Sequence, residues 1–97
     1  MSKVSIYNMA EGGQQVFFYC IGCETHHAFA VGAPTGPNWT WNGDPEKPDV
    51  NPSLLVNATL DPARRCHLFV RNGQIQYLSD CAHGMAGQTV DMVERDI

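Results

Sequence analysis

Cys20-Ile21-Gly22-Cys23 puts two thiols on one tight turn, and Cys66 and Cys81 stand far downstream in a chain of 97 residues. Zinc takes four donors in a tetrahedron, and a Cys-x2-Cys turn supplies two of them from a single loop. Cys20, Cys23, Cys66 and Cys81 are therefore expected to form a structural zinc site whose binding energy is also folding energy. His26, His27, His67 and His83 each lie near a cysteine, and imidazole is an equally good donor, so a Cys3His site is the alternative. Three protein ligands would leave the fourth position to a water that the metal could activate for hydrolysis. Buried free thiols are a plainer reading, because free cysteine behaves as a small hydrophobe. A redox pair would open a helix, which the β-rich context of Ile21-Gly22 and the following Glu24 disfavour.

Asp80-Cys81-Ala82-His83-Gly84 is the densest polar cluster near these thiols. A carboxylate there orients a histidine, and two histidines can move protons, which makes His67, Asp80 and His83 the candidate catalytic residues of a small zinc-dependent hydrolase. The competing reading has Asp80 and His83 satisfying backbone groups where a hairpin ends. Trp39 and Trp41, beside Asn42-Gly43, are either partner-binding anchors or rings that pin a long loop. In Asn51-Pro52-Ser53, the Asn and Ser side chains are expected to tie down backbone at the start of a strand.

The elements that must position these residues are mostly strands. Val4 to Tyr7 and Val16 to Tyr19 flank the turn signal Glu11-Gly12-Gly13, and Phe29 to Val31 returns after the first cysteine pair in the manner of a zinc knuckle. Five prolines between Gly32 and Ser53 predict a long Pro/Trp-rich loop rather than sustained helix or central strand. Leu54 to Leu60 reads as a strand ending at Asp61-Pro62. Asn72-Gly73 favours a type I′ hairpin that pairs Val70 with Ile75, Leu68 with Tyr77 and Cys66 with Ser79. Strand alternation then puts Cys66, Leu68, Val70, Ile75, Tyr77, Ser79 and Cys81 on one face, with His67, Phe69, Gln76, Leu78 and Asp80 on the other. A turn around His83 to Ala86 and a closing strand over Thr89 to Val93 complete the reading. The fold class expected is mainly β, a small zinc-stabilised antiparallel sheet forming one domain over residues 1–97.

At this size a hydrophobic core gives limited stability, and a metal or disulfides are often recruited. Met1-Ser2-Lys3-Val4-Ser5 has one basic residue and no long apolar run, so no signal peptide is expected, and no later segment approaches a membrane span. A cytoplasmic location follows as an expectation, and there paired cysteines bind metal more often than they form lasting disulfides. Six basic against ten acidic residues give a formal charge of -4, with no Lys/Arg stripe for a phosphate backbone. Generic nucleic-acid binding is thereby disfavoured.

With Cys20 and Cys23, Trp39-Thr40-Trp41-Asn42-Gly43, Asn51-Pro52-Ser53, Cys66-His67-Leu68-Phe69-Val70-Arg71-Asn72-Gly73 and Asp80-Cys81-Ala82-His83-Gly84-Met85-Ala86-Gly87 in view, the chain resembles a family of small phage and bacterial metal-binding proteins. The resemblance covers most of the chain. It implies a metal-binding β domain, carries no activity with it, and gives His67 and His83 the same prominence as the cysteines. A phage origin would imply an accessory protein acting on host machinery in an infected bacterium. The leading functional expectation is a zinc-stabilised interaction module contacting a protein partner through Trp39 and Trp41. The zinc-dependent hydrolase is its alternative, and a virion or assembly component, with homo-oligomerisation left open, is a third.

Overall fold

The hairpin at Asn72-Gly73 organises one half of the molecule. In the computed structural model, which describes residues 2–56 and 62–94, both turn residues have positive φ, 49° and 78°, as a type I′ turn requires. The strands it joins, numbered below as β6 (Cys66–Arg71) and β7 (Gln74–Tyr77), pair Val70 with Ile75 and Leu68 with Tyr77. Alternation buries Cys66, Leu68, Val70, Ile75 and Tyr77 almost completely, while His67 and Phe69 face outward on the same strand. The ladder stops at Tyr77 and does not continue to Ser79. Leu78 N–H still donates to His67 O, at 2.9 Å, but Leu78 O then accepts from Cys81 N–H, at 3.2 Å, and closes a turn. The expected pairing of Cys66 with Ser79 therefore does not form.

Six further strands complete the described fold: β1 (Val4–Asn8), β2 (Gln14–Cys20), β3 (Thr25–Val31), β4 (Thr40–Trp41), β5 (Val50–Val56) and β8 (Thr89–Asp91), with a 3-10 turn at Pro62–Arg64 before β6. They make a three-stranded sheet in the order β1-β2-β3 and a five-stranded sheet in the order β4-β5-β6-β7-β8. Every pairing is antiparallel. The first sheet contributes Val4, Val16, Phe18, Cys20 and Phe29 to the core, and the second contributes Val50, Leu54, Cys66, Leu68, Val70, Ile75 and Tyr77. Each sheet has one apolar face, and one shared core buries both. Phe29 of β3 meets Trp41 of β4 edge to face, with ring centroids 6.2 Å apart, so an aromatic pair spans the two sheets.

The proline-rich segment is more ordered than a loop reading predicts, because β5 begins at Val50 and contains Pro52. The register between β5 and β6 shifts between Val50 and Leu54. A strand tolerates a proline at such an irregularity because no ladder bond requires its missing N–H. Upstream, Asn42 Oδ1 accepts from the backbone of Asp44 and Asp49, and Asp44 Oδ1 accepts from Glu46 N–H at 2.9 Å. These Asx-type bonds tie the turn down locally. The strand expected over Leu54 to Leu60 is observed as far as Val56, and its remaining residues lie outside the described ones. Among the described residues no helix is long and apolar enough to cross a membrane.

Replacing Phe29 by Ala removes the ring that bridges the sheets from a site only 1% exposed. The expected cost is about 3–5 kcal/mol of unfolding free energy, read as a lowered midpoint with an unchanged slope in chemical denaturation.

Candidate metal centre and candidate active site

β2 ends at Cys20, and the chain reverses at once, with Glu24 N–H bonded to Cys20 O at 2.8 Å and Glu24 at φ 55°. This turn brings Cys23 N–H to within 3.4 Å of Cys20 Sγ. Cys66 opens β6 from the opposite sheet, its Sγ 3.8 Å from that of Cys20. His83 comes from the loop after β7, with Nε2 3.3 Å from Cys66 Sγ. Ligand atoms of Cys20, Cys23, Cys66 and His83 all lie within 4.8 Å of one another. A tetrahedron with metal-sulfur bonds of about 2.3 Å has edges of about 3.8 Å, so the Cys20 and Cys66 sulfurs already stand at coordinating separation.

The surroundings fit a cation. Cys20 and Cys66 are fully buried, and Tyr77 Oη sits 3.2 Å from Cys20 Sγ while accepting from Gly22 N–H at 3.2 Å. Hydrogen bonding from Cys66 pushes the Cys20 thiol down to about 3 despite its burial. The same bond, with burial and the neighbouring charge, pushes Cys66 far up. Burial and the Cys20 charge push Cys23 up to about 11. One thiolate thus suppresses the next, and a divalent cation would remove that conflict by charge compensation. Glycine at position 22 has its own reason: a Cβ there would overlap the His83 imidazole. That ring also stands edge-on to Tyr77, with centroids 4.9 Å apart.

Cys81, expected as the fourth ligand, lies elsewhere, and His83 occupies that corner. Because β7 ends at Tyr77, the Leu78–Cys81 turn carries the Cys81 side chain to the backbone of His67. Its Sγ accepts from His67 N–H at 3.3 Å and donates to His67 O at 3.1 Å. Two residues on, His83 returns over Gly22. His26 and His27 do not join the cluster; His26 meets Tyr19 and His27 meets Phe18, both edge to face.

On the outer face of β6, His67 Nε2 lies 3.1 Å from Ser53 Oγ. Its Nδ1 lies 3.3 Å and 3.2 Å from the two carboxylate oxygens of Asp80. A carboxylate accepts, so the geometry assigns the proton to Nδ1 and leaves the Nε2 lone pair facing the serine hydroxyl. The His67 and Asp80 side chains are 25% and 44% exposed, so the pair is open to solvent and to a ligand. Ser53 stands where β5 and β6 shift register, and its carbonyl accepts from the Trp39 indole at 3.3 Å. Trp39 and Trp41 are partly buried against the core rather than standing clear of it.

Of the residues expected to be catalytic, His67 and Asp80 are together and His83 belongs to the candidate metal cluster. Ser53 is the residue that sequence reasoning missed. Its motif, Asn51-Pro52-Ser53, stood out but suggested only backbone bonding, and the three residues come from separate segments. The useful signal was parity, since alternation sets His67 opposite to Cys66 and so away from the thiols.

A serine, a histidine and a carboxylate bonded in this order form a triad of serine-hydrolase type. The family model described as Bacterial ubiquitination-like system serine protease (BubE) matches residues 1–78, and the chain belongs to that family. The matched segment contains Ser53, His67 and three of the four clustered ligands, while Asp80 and His83 fall just beyond it. Comparison with curated proteins and with solved structures gave no match.

Cys66→Ser is expected to abolish stoichiometric metal binding and cooperative unfolding together, as elemental analysis and thermal melts would show. Gly22→Ala should fold but displace the His83 ring. Its metal affinity, measured against a chromophoric chelator, should fall by about 10-fold or more.

Proposed function

We propose that this protein is a serine protease of a bacterial ubiquitin-like conjugation system, with Ser53 as nucleophile, His67 as general base and acid, and Asp80 orienting the histidine. The observation that carries the reading is the unbroken Ser53–His67–Asp80 chain of hydrogen bonds, in a chain whose family description names a serine protease. In the first half-reaction Ser53 Oγ bonds to the carbonyl carbon of the scissile amide while its proton passes to His67 Nε2. The carbon–nitrogen bond then breaks, and the departing amine takes that proton, leaving an acyl ester on Ser53. Water repeats the sequence against the ester, giving up a proton through His67 and releasing the acid and the free hydroxyl. Asp80 holds Nδ1–H and stabilises the imidazolium formed in each half.

Cys20, Cys23, Cys66 and His83 would hold a zinc ion in this reading, with four protein ligands and a structural role. When bound, that ion would supply fold stability and no nucleophile. Hydrolysis, the alternative expected from sequence, is thus retained with a serine hydroxyl in place of metal-activated water. The protein partner expected from sequence becomes the substrate.

A fluorophosphonate probe tests the assignment directly, because it phosphonylates an activated serine and releases fluoride. Wild-type protein should be labelled at Ser53 as located by peptide mass analysis. Ser53→Ala should not be labelled, and Asp80→Asn should fold and keep its metal while labelling about 10^3–10^4-fold more slowly. Equal labelling of wild type and Ser53→Ala would sink the proposal.

A further inference from the structure

His67 lies where its strand is losing a neighbour. Both its N–H and its C=O point toward β7, since Leu78 N–H reaches His67 O. In a continuing antiparallel ladder Leu78 O would accept His67 N–H in return. That carbonyl has instead turned to accept Cys81 N–H, which would leave the amide of the general base without a backbone acceptor. Cys81 Sγ fills the position. It accepts from His67 N–H at 3.3 Å and donates its S–H to His67 O at 3.1 Å. One atom thus closes both backbone groups of His67, and the thiol stands next in sequence to Asp80, which bonds the imidazole of that same histidine.

We infer that Cys81 is a positioning residue of the hydrolytic site, a thiol clamp that fixes the His67 backbone against the Asp80 turn, and not a metal ligand; the inference rests on the serine-hydrolase reading. Geometry separates the two roles. The ligand cluster forms from Cys20, Cys23, Cys66 and His83 without Cys81, whose sulfur lies instead within reach of both backbone groups of His67. A clamp on one backbone unit acts on where the imidazole points. It should therefore change the rate of the bond-making step more than the binding of a probe.

The 97-residue protein, loaded with zinc, is compared as wild type, Cys81→Ser and Cys81→Val by fluorophosphonate labelling and by elemental analysis. Serine keeps a donor and acceptor at the clamp, while valine keeps bulk and removes both. Expected for Cys81→Val is one zinc per chain, an unchanged probe concentration for half-maximal rate, and a limiting labelling rate lower by about 10-fold or more. Cys81→Ser should recover most of that rate. If Cys81→Val does not fold, Cys81→Ala takes its place under the same criteria. Amide exchange in wild-type protein needs no variant, and the His67 amide should be protected as a ladder amide is. Wild-type labelling by folded, zinc-loaded Cys81→Val or Cys81→Ala would overturn the inference, as would loss of zinc from Cys81→Ser or an unprotected His67 amide. Failure of the serine reading looks different: the wild type would not label at Ser53, while zinc content and amide protection would still report on the clamp.

Discussion

Two neighbouring residues at the start of β6 must point in opposite directions, and the rest of the structure depends on this. Cys66 and His67 are adjacent in an extended strand, so alternation sends the thiol into the core and the imidazole to the surface. The inner side chain belongs to the cluster that joins the two sheets, and the outer one belongs to the hydrogen-bonded triad. One backbone segment therefore serves both sites, and neither can move without the other. The second shared segment is Asp80 to His83, whose first residue reaches the His67 ring and whose last reaches Cys66.

This coupling suits a small molecule. A three-stranded and a five-stranded sheet share one core, and a chain of 97 residues buries a smaller fraction of its surface than a larger domain does. The four candidate ligands come from both sheets and a loop: Cys20 and Cys23 from the end of β2 and its turn, Cys66 from β6, and His83 from the segment before β8. A cation held there would cross-link elements far apart in sequence, where chain closure is entropically most costly. The large opposing effects on the thiols of Cys20 and Cys66 point the same way, since the hydrogen bond between them favours ionisation of Cys20 at the expense of Cys66, and positive charge would let both ionise.

What the sequence made legible was local. The Asn72-Gly73 turn, the register of Val70 with Ile75 and the inward face from Cys66 to Tyr77 all follow from turn chemistry and period-two alternation. Three of the four clustered ligands were equally readable, because Cys-x2-Cys is a short-range pattern and Cys66 sits on a predictable face. Cys81 failed because alternation was extended beyond the residue where the ladder ends; one turn hydrogen bond, Cys81 N–H to Leu78 O, cancels parity from there on. Ser53 failed for a different reason. Its place opposite His67 is set by the register shift between Val50 and Leu54 around Pro52, and no local pattern reveals how such an irregularity aims a side chain.

The Ser53–His67–Asp80 hydrogen-bond chain has little regular structure around its carboxylate. Between Tyr77 and Thr89 no strand is present among the described residues, yet the Asp80 carboxylate is held on the His67 ring. Three attachments replace the missing strand: Leu78 N–H on His67 O, Ala82 N–H on Arg65 O, and the Cys81 thiol on both groups of His67. All three run back to residues 65–67, the segment that also carries Cys66. The loop is therefore registered against the segment that carries His67 rather than against a distant part of the fold. His83 then anchors its far side beside Cys66 and Gly22. An irregular segment attached this closely can deliver a carboxylate as accurately as a strand would, while leaving the outer face of β6 open beside Ser53.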